Sequence, residues 1–301
     1  MINDSTPFPP RPSYADAIRQ VQARGQADFL LSSGQVAKLN RTKLLQNYEA
    51  ILQMAGIEQI LGESIGMTPG SEKFQIADAA LSRYADVPAY WVLPLGELIR
   101  RADRQQSVPH EILQRILDLK GARDDVMHGQ SENFGPKCRK DIRETYELLL
   151  ERSRHSPTHA LSARIEAVNS AKSSGRDAEE MLMTLGTLFR AIESEVEIRA
   201  AMEEAGIFKG KLPLVESIFE LKRASGLHQK LFKRDDLAWK FRASALVRNH
   251  LVHGTIIVPK ARQEEVVDEA HLLLGQTISE LRFKKDGGTT ATGEFRNGLN
   301  F

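Results

Sequence analysis

The sequence predicts an all-α protein built as two tandem helical bundles. Three observations point there. Ala, Leu, Glu, Arg and Gln dominate the interior of the chain, while alternating β-branched runs are scarce. Long segments carry apolar residues at helical spacing. The order of elements in the first half recurs, loosely, in the second. A chain of 301 residues suits two ordinary domains, and a hydrophobic content of 41% is enough for a packed core.

Residues 1–13, MINDSTPFPPRPS, hold four prolines and read as an extended arm. The first domain is expected over 14–150. Its long helix is KLLQNYEAILQMAGIEQIL, with a stripe of Leu44, Leu45, Tyr48, Ile51, Leu52 and Ile57. The loop GESIGMTPGSEKF then reads as an insertion that lengthens this half. In LGELIRRADRQQSVPHEILQRILDLKGA an apolar helix, a polar break and an amphipathic helix follow one another. Ser107 and Pro109 suit the start of the second of these helices. A loop with Pro136 and the helix KDIRETYELLLERS close the domain.

Residues 151–160, ERSRHSPTHA, are charged, contain Pro157 and read as a linker. The second domain is expected over 161–283. AEEMLMTLGTLFRAIESEVEIRAAMEEAG places Leu182, Leu185, Leu188, Phe189, Ile192, Val196 and Ile198 near one stripe and stops at Gly206. LVESIFELKRASGLHQKLFKRDDLAWKFRASALV again gives helix, break, helix, with Asp235 and Asp236 suited to the second start. A loop with Pro259 and the helix QEEVVDEAHLLLGQTISELR follow. The tail, 284–301, is Gly- and Thr-rich with few apolar residues and reads as flexible.

Bulk properties narrow the functions. The formal charge is +1, so no polybasic field advertises nucleic acid or membrane, although a local groove can be basic on a neutral protein. One cysteine, Cys138, forbids an internal disulfide and makes a reducing, cytoplasmic setting the default. No signal peptide and no membrane-length apolar run is expected. Walker, dinucleotide-binding and nucleophile-elbow patterns are absent, as is any Cys, His or carboxylate set with ligand spacing. Neither metal nor cofactor is expected.

Each half carries one related string at the end of a predicted helix. RDDVMHG spans Arg123–Gly129 and RNHLVHG spans Arg248–Gly254. Both begin with Arg, continue with Asp or Asn, and end in a large apolar residue, His and Gly. The glycines suit a left-handed residue just past the last turn. That sets His128 and His253 at helix C-termini, where the macrodipole favours the protonated ring. Asp124 and His128 are four apart, as are Asn249 and His253. Each pair therefore shares a face, and the carboxylate or amide can orient the ring. The Arg lies about 140° round the helix from the His, and its long fork can curl toward the same edge. Together they offer a phosphate-gripping cation beside an acid–base group.

The bare spacing is weak evidence, since composition alone yields about 0.7 Arg-x4-His pairs. Four occur. Arg154–His159 is broken by Pro157, and Arg223–His228 has Ala at the second place and Gly226 inside. The other two agree in three further features and in their place within each half.

Those two strings, at helix ends in helical domains of this size, resemble the HEPN superfamily, and the resemblance extends over both predicted domains. It implies helical bundles acting in pairs, here an intramolecular pseudo-dimer in which Arg123 and His128 face Arg248 and His253. It further implies a metal-independent endoribonuclease of a bacterial toxin–antitoxin or antiviral system. The implied partners are an RNA substrate and an antitoxin or regulatory protein, with self-association left open. One branch of the family carries a modified Tyr two residues after the His. Gln130 and Thr255 stand there, so that regulation is not carried over.

Plainer readings exist for each residue. His128 and His253 can cap their own last carbonyls, and Arg123 and Arg248 can form surface salt bridges, with Asp124 and Asp125 beside the first. Asn249 can bond only backbone, and His250 points to another side of its helix. Trp239 and Phe241 read as core rather than base-stacking platforms. Lys137, Arg139 and Lys140 can bind RNA backbone or lower the pKa of Cys138, or simply be solvated. The non-enzymatic alternative is a helical module that binds RNA, a nucleotide or a protein without cutting.

Overall fold

The computed structural model describes residues 14–30, 36–67, 75–76, 89–90, 93–127, 134–174, 178–207, 214–223, 232, 237–253 and 260–285. These are mostly helical, in agreement with the predicted fold class. The expected arm at 1–13 and all of the expected tail 284–301 but its first two residues, Lys284 and Lys285, which are helical, lie outside the described residues, as do His128, Gly129 and Gly254.

Helix α1 (Tyr14–Arg24) leads into an antiparallel hairpin, β1 (Gln26–Leu30) with β2 (Val36–Asn40), which pairs Gln26 with Asn40 and Leu30 with Val36. Its strands are five residues each, too short for an alternating pattern to stand out in the sequence. A second, two-residue pair joins β3 (Gln75–Ile76) to β4 (Ala89–Tyr90). Asn40 ends β2 and caps the next helix, its side-chain oxygen accepting from the Lys43 amide at 2.9 Å.

That helix, α2 (Arg41–Ser64), is the axis of the molecule. Its apolar stripe predicts one buried face. Instead every side chain from Leu44 to Gly62 except Gln46 is buried. The reason is what surrounds it. Helices α3 (Leu95–Arg104), α5 (Pro136–Arg152), α6 (His159–Ser174), α7 (Ala178–Glu204) and α9 (Leu237–His253) all pack on it. Its polar residues are therefore inside and must find partners there. Asn47 accepts from Arg139 at 3.3 Å, and Glu49 binds Lys172 and Arg143.

The main core draws on both sides of 151–160, with Ile57, Leu98 and Ile116 joining Leu161, Leu185, Val247 and Val267. A smaller cluster gathers Ile198, Met202, Ile218, Phe232, Phe241 and Leu281. Burying each large aliphatic side chain contributes about 1.5–3 kcal/mol. Helix α1 packs on α7, and α6 packs on α2, so each half lays a helix on the long helix of the other. The remaining helices are α4 (His110–Met127), packed on α3 and α5, α8 (Leu214–Arg223), packed on α9, and α10 (Lys260–Lys285), packed on α7 and α9.

Local signals are met in several places. Helix α7 ends where Gly206 adopts φ 68°; Ile207 N–H reaches Met202 and Gly206 N–H reaches Glu203, both at 3.0 Å. Val196, expected in the α7 stripe, is 38% exposed. Helix α5 starts at Pro136, four residues earlier than expected, because proline's fixed φ suits the first helical position. Among the described residues no helix is long and apolar enough to cross a membrane.

The segment 151–160 includes helix ends and a packed connection. Helix α5 runs to Arg152, Ser153 accepts from the His155 amide at 3.0 Å, and Pro157 is buried. Pro157 lies against Gly56, where a Cβ would sit 3.4 Å from its ring and 2.6 Å from Tyr146.

Candidate functional site

The two string-bearing helices meet on α2. Glu58, buried with 2% of its side chain exposed, carries one charge for two partners. Its Oε1 accepts from Arg123 Nη2 at 2.9 Å, and its Oε2 binds His253 Nδ1. Arg123 belongs to the first string and His253 to the second. Residues 130 apart in sequence thus share one carboxylate, contributed by a third element.

Neighbours fix each member. Arg123 Nη1 also donates to Asp124 at 3.0 Å, and the other oxygen of Asp124 binds Lys120. Next to Glu58 on α2, Gln59 donates from Nε2 to the carbonyl of His253 at 3.0 Å and accepts from the Thr158 amide at 2.9 Å. Glu58 therefore holds the ring of His253 while Gln59 holds its backbone.

Burial decides the electrostatics. It pushes the Glu58 carboxyl up, but Arg123 and then His253 outweigh it and hold the group below the ordinary glutamate range. Burial pulls Arg123 down, yet Glu58 and Asp124 leave it above the usual arginine value. For Asp124, burial pushes up and Lys120 and Arg123 pull further down, so it too stays ionised. Asp124, Arg123 and Glu58 thus form a chain of contacts between charges of alternating sign.

The ring geometry has a chemical consequence. With Nδ1–H given to the carboxylate, a neutral His253 carries its lone pair on Nε2. Its side chain is 20% exposed, so the ring is held by Glu58 without being fully enclosed. A nitrogen so oriented can take or return a proton.

The other predicted residues are placed as follows. Arg248, one turn and a half back along α9, gives Nη2 to both oxygens of Glu195 on α7, at 2.9 and 3.1 Å. Asn249, expected to orient the ring, is exposed, and the Nδ1 of His253 goes to Glu58. Asp124, the other expected orienting residue, turns to Arg123 and Lys120. Arg123 does form the expected pair with Asp124, but half inside the protein rather than on its surface. The KCRK trio sits on the first turn of α5 and not in a loop. Arg139 is spent on the carbonyl of Phe134 at 2.6 Å and on Asn47, which ties α5 to α2. Lys137 is exposed, and Lys140 lies 3.6 Å from Glu144. The basic neighbours do not activate Cys138, because burial and then Asp141 push its thiol up against the pull of Arg139. His250's side chain is outside the described set.

Sequence reading missed Glu58, Gln59 and Glu195. Glu58 and Gln59 do carry a signal in retrospect: two polar residues inside an otherwise apolar helical segment, next to Ile57 and Ile60. Among the described residues no three His, Cys, Asp or Glu side chains converge as a metal site. No family model, curated protein or solved structure matches the chain.

Proposed function

We propose that this chain is a metal-independent endoribonuclease acting at a composite site of Arg123, His128, Arg248 and His253. The observation that carries it is the joining of Arg123 and His253 on Glu58. One string supplies the cation and the other the imidazole, as a two-part centre requires. The resemblance of both strings to the HEPN pattern supports the same reading.

The chemistry follows from the groups. An imidazole takes the proton from the RNA 2′-hydroxyl, and the 2′-oxygen attacks the adjacent phosphorus. A second proton donor returns a proton to the departing 5′-oxygen. The P–O5′ bond breaks, leaving a 2′,3′-cyclic phosphate and a 5′-hydroxyl. Glu58 presents His253 Nε2 for one of these transfers. Arg123 has five N–H donors, two of which reach Glu58 and Asp124; in this proposal others bind the phosphoryl oxygens.

The halves form a pseudo-dimer in this proposal. Two observations support that. Helices α1 and α6 are laid reciprocally on α7 and α2. Glu58 lies 17 residues after the start of α2 and Glu195 lies 17 after the start of α7, and each binds the Arg of its own half. A non-catalytic module is the second reading. It is favoured by the same ion pairs, which neutralise Arg123 and tie the halves together without any substrate.

Cleavage of single-stranded RNA in EDTA tests these readings. An enzyme cuts RNA, spares DNA of the same sequence for want of the 2′-hydroxyl, and loses activity in His128→Ala and in His253→Ala. Binding without cutting, or cutting that EDTA abolishes, overturns the proposal.

A further inference from the structure

Helix α3 divides sharply into two faces. Leu95, Leu98, Ile99 and Ala102 are buried in the main core. Glu97, Arg100, Arg101 and Arg104, at i, i+3, i+4 and i+7, line the opposite side. All three guanidiniums converge on Glu97. Arg100 and Arg101 reach its carboxylate at 2.8 Å, and Arg104 lies 3.7 Å from it. Glu97 is largely covered, with 20% of its side chain exposed, whereas Arg100 and Arg104 expose 71% and 70% of theirs.

Two of the arginines are held in the same way. Arg100 Nε donates to the carbonyl of Gly96 and Arg104 Nε to that of Arg100, each at 3.3 Å and one turn back. Their Nη2 groups turn to Glu97. Among the described residues, none of the three has a partner besides Glu97 and these two carbonyls. With five N–H donors each, the guanidiniums carry more than one carboxylate and two carbonyls accept. The hydrogen bond from Arg101 and the charges of all three arginines outweigh the push from burial and hold Glu97 below the ordinary glutamate range. Three cations therefore face one anion, and the other acid of α3, Asp103, is taken by His110 at 3.0 Å. Stability does not explain such a group. Exposed ion pairs contribute little, and like charges one turn apart repel. A bound anion does explain it.

The group connects to the candidate site. Gly96, one turn before Arg100, lies against Lys120 of α4, whose Cε would stand 3.6 Å from a Cβ there. Lys120 binds Asp124, and Asp124 binds Arg123. Arg104, Arg100, Lys120 and Arg123 thus follow one another toward the carboxylate that Arg123 shares with His253.

We infer that the α3 arginines are a binding site for the phosphate backbone of single-stranded RNA, outside the cleavage centre. The inference rests on the ribonuclease reading. A phosphodiester brings a negative charge and two unesterified oxygens to guanidiniums that Glu97 has already gathered. Arg104 to Gly96 is about 12 Å along the helix, which spans roughly three or four nucleotides of a stacked strand at about 3.4 Å each. Phosphate contacts carry no base information, so the site adds affinity for longer strands and no sequence preference.

The test separates remote binding from cleavage. Affinity for an uncleavable 2′-O-methyl decanucleotide is measured by anisotropy from about 50 to 200 mM salt. Cleavage of an RNA dinucleotide and an RNA decanucleotide is measured alongside. The proteins are the wild type, Arg104→Gln, the triple variant Arg100→Gln/Arg101→Gln/Arg104→Gln and the control Arg115→Gln. The slope of log affinity against log salt should fall by about 0.7 in the single variant and by about 2 in the triple. Decanucleotide KM should rise about tenfold in the triple, while dinucleotide cleavage, too short to reach α3, stays unchanged. Arg115→Gln, exposed on α4 and paired with Glu144, should match the wild type. Circular dichroism checks folding, and Arg104→Gln carries the test if the triple variant does not fold. Slopes and decanucleotide KM that match the wild type in both α3 variants overturn the site and leave the ribonuclease standing. Binding to phosphatidylserine vesicles that the variants lose, with decanucleotide affinity intact, assigns the arginines to a lipid surface and overturns the RNA site. Arginine-dependent RNA binding without cleavage supports the site and overturns the ribonuclease. Neither binding nor cleavage overturns both.

Discussion

Substituting Glu58 by Gln probes the joint on which the candidate site is built. Gln keeps the shape and removes the charge. Arg123, with 14% of its side chain exposed, then retains Asp124 but loses its buried counter-charge, and the amide can satisfy only one of the two former partners. Removing one member of a buried pair costs about 3–5 kcal/mol, and the remaining Asp124 sets the expectation near about 3 kcal/mol. At about 2 °C per kcal/mol for larger domains, Tm falls by roughly 6 °C. The loss also has a pH signature. Folding holds the Glu58 carboxyl below its ordinary value, so its ionised form stabilises the native state. That stabilisation is complete above the unfolded glutamate pKa of about 4.3 and disappears as pH falls through the lower folded value. Urea melts of both proteins at pH 7, 5, 4 and 3 should show a constant gap down to pH 5 that closes in stronger acid. Equal midpoints at pH 7, or a gap that persists undiminished at pH 3, would refute the assignment of Glu58 as a charged bridge.

Gly56→Ala should destabilise by about 1–3 kcal/mol in thermal melts. The new methyl would stand 2.6 Å from the ring of the buried Tyr146, closer than van der Waals contact allows, so ring or helix must shift; a neutral or stabilising result would mean that α5 is not seated on α2 there. Gln59→Leu strips the partner from both the Thr158 amide and the His253 carbonyl, at about 1–3 kcal/mol for each group left buried and unpaired. Hydrogen exchange at the Thr158 amide should accelerate more than exchange in the middle of α2, and unchanged protection there would contradict the bridge. Asn40→Ala removes the cap of α2 and should lower stability by about 1 kcal/mol, with Asn40→Asp close to wild type by chemical denaturation.

Local chemistry alone determined most of the helices and the candidate residues, but not the two short strand pairs. Helix-forming composition, the apolar stripes, Pro109 and Pro136 at helix starts and Gly206 at a helix end are short-range signals, and they located most of the helices to within a few residues. The two strings were equally visible, because residues four apart on a helix share a face wherever that helix goes. Which faces become interior was not legible. Helix α2 has a stripe like any amphipathic helix, yet it is enclosed on all sides, since burial depends on how many neighbours arrive and not on the helix itself. For the same reason the sequence did not single out Glu58. Only when α4 and α9 converge on α2 do Arg123 and His253 come within reach of one buried charge, whose desolvation requires partners on both sides. Tertiary structure likewise gave the His253 ring to Glu58 rather than to Asn249 one turn below. A side chain fixed inside the protein holds a ring nitrogen against water, and an exposed amide must compete with it.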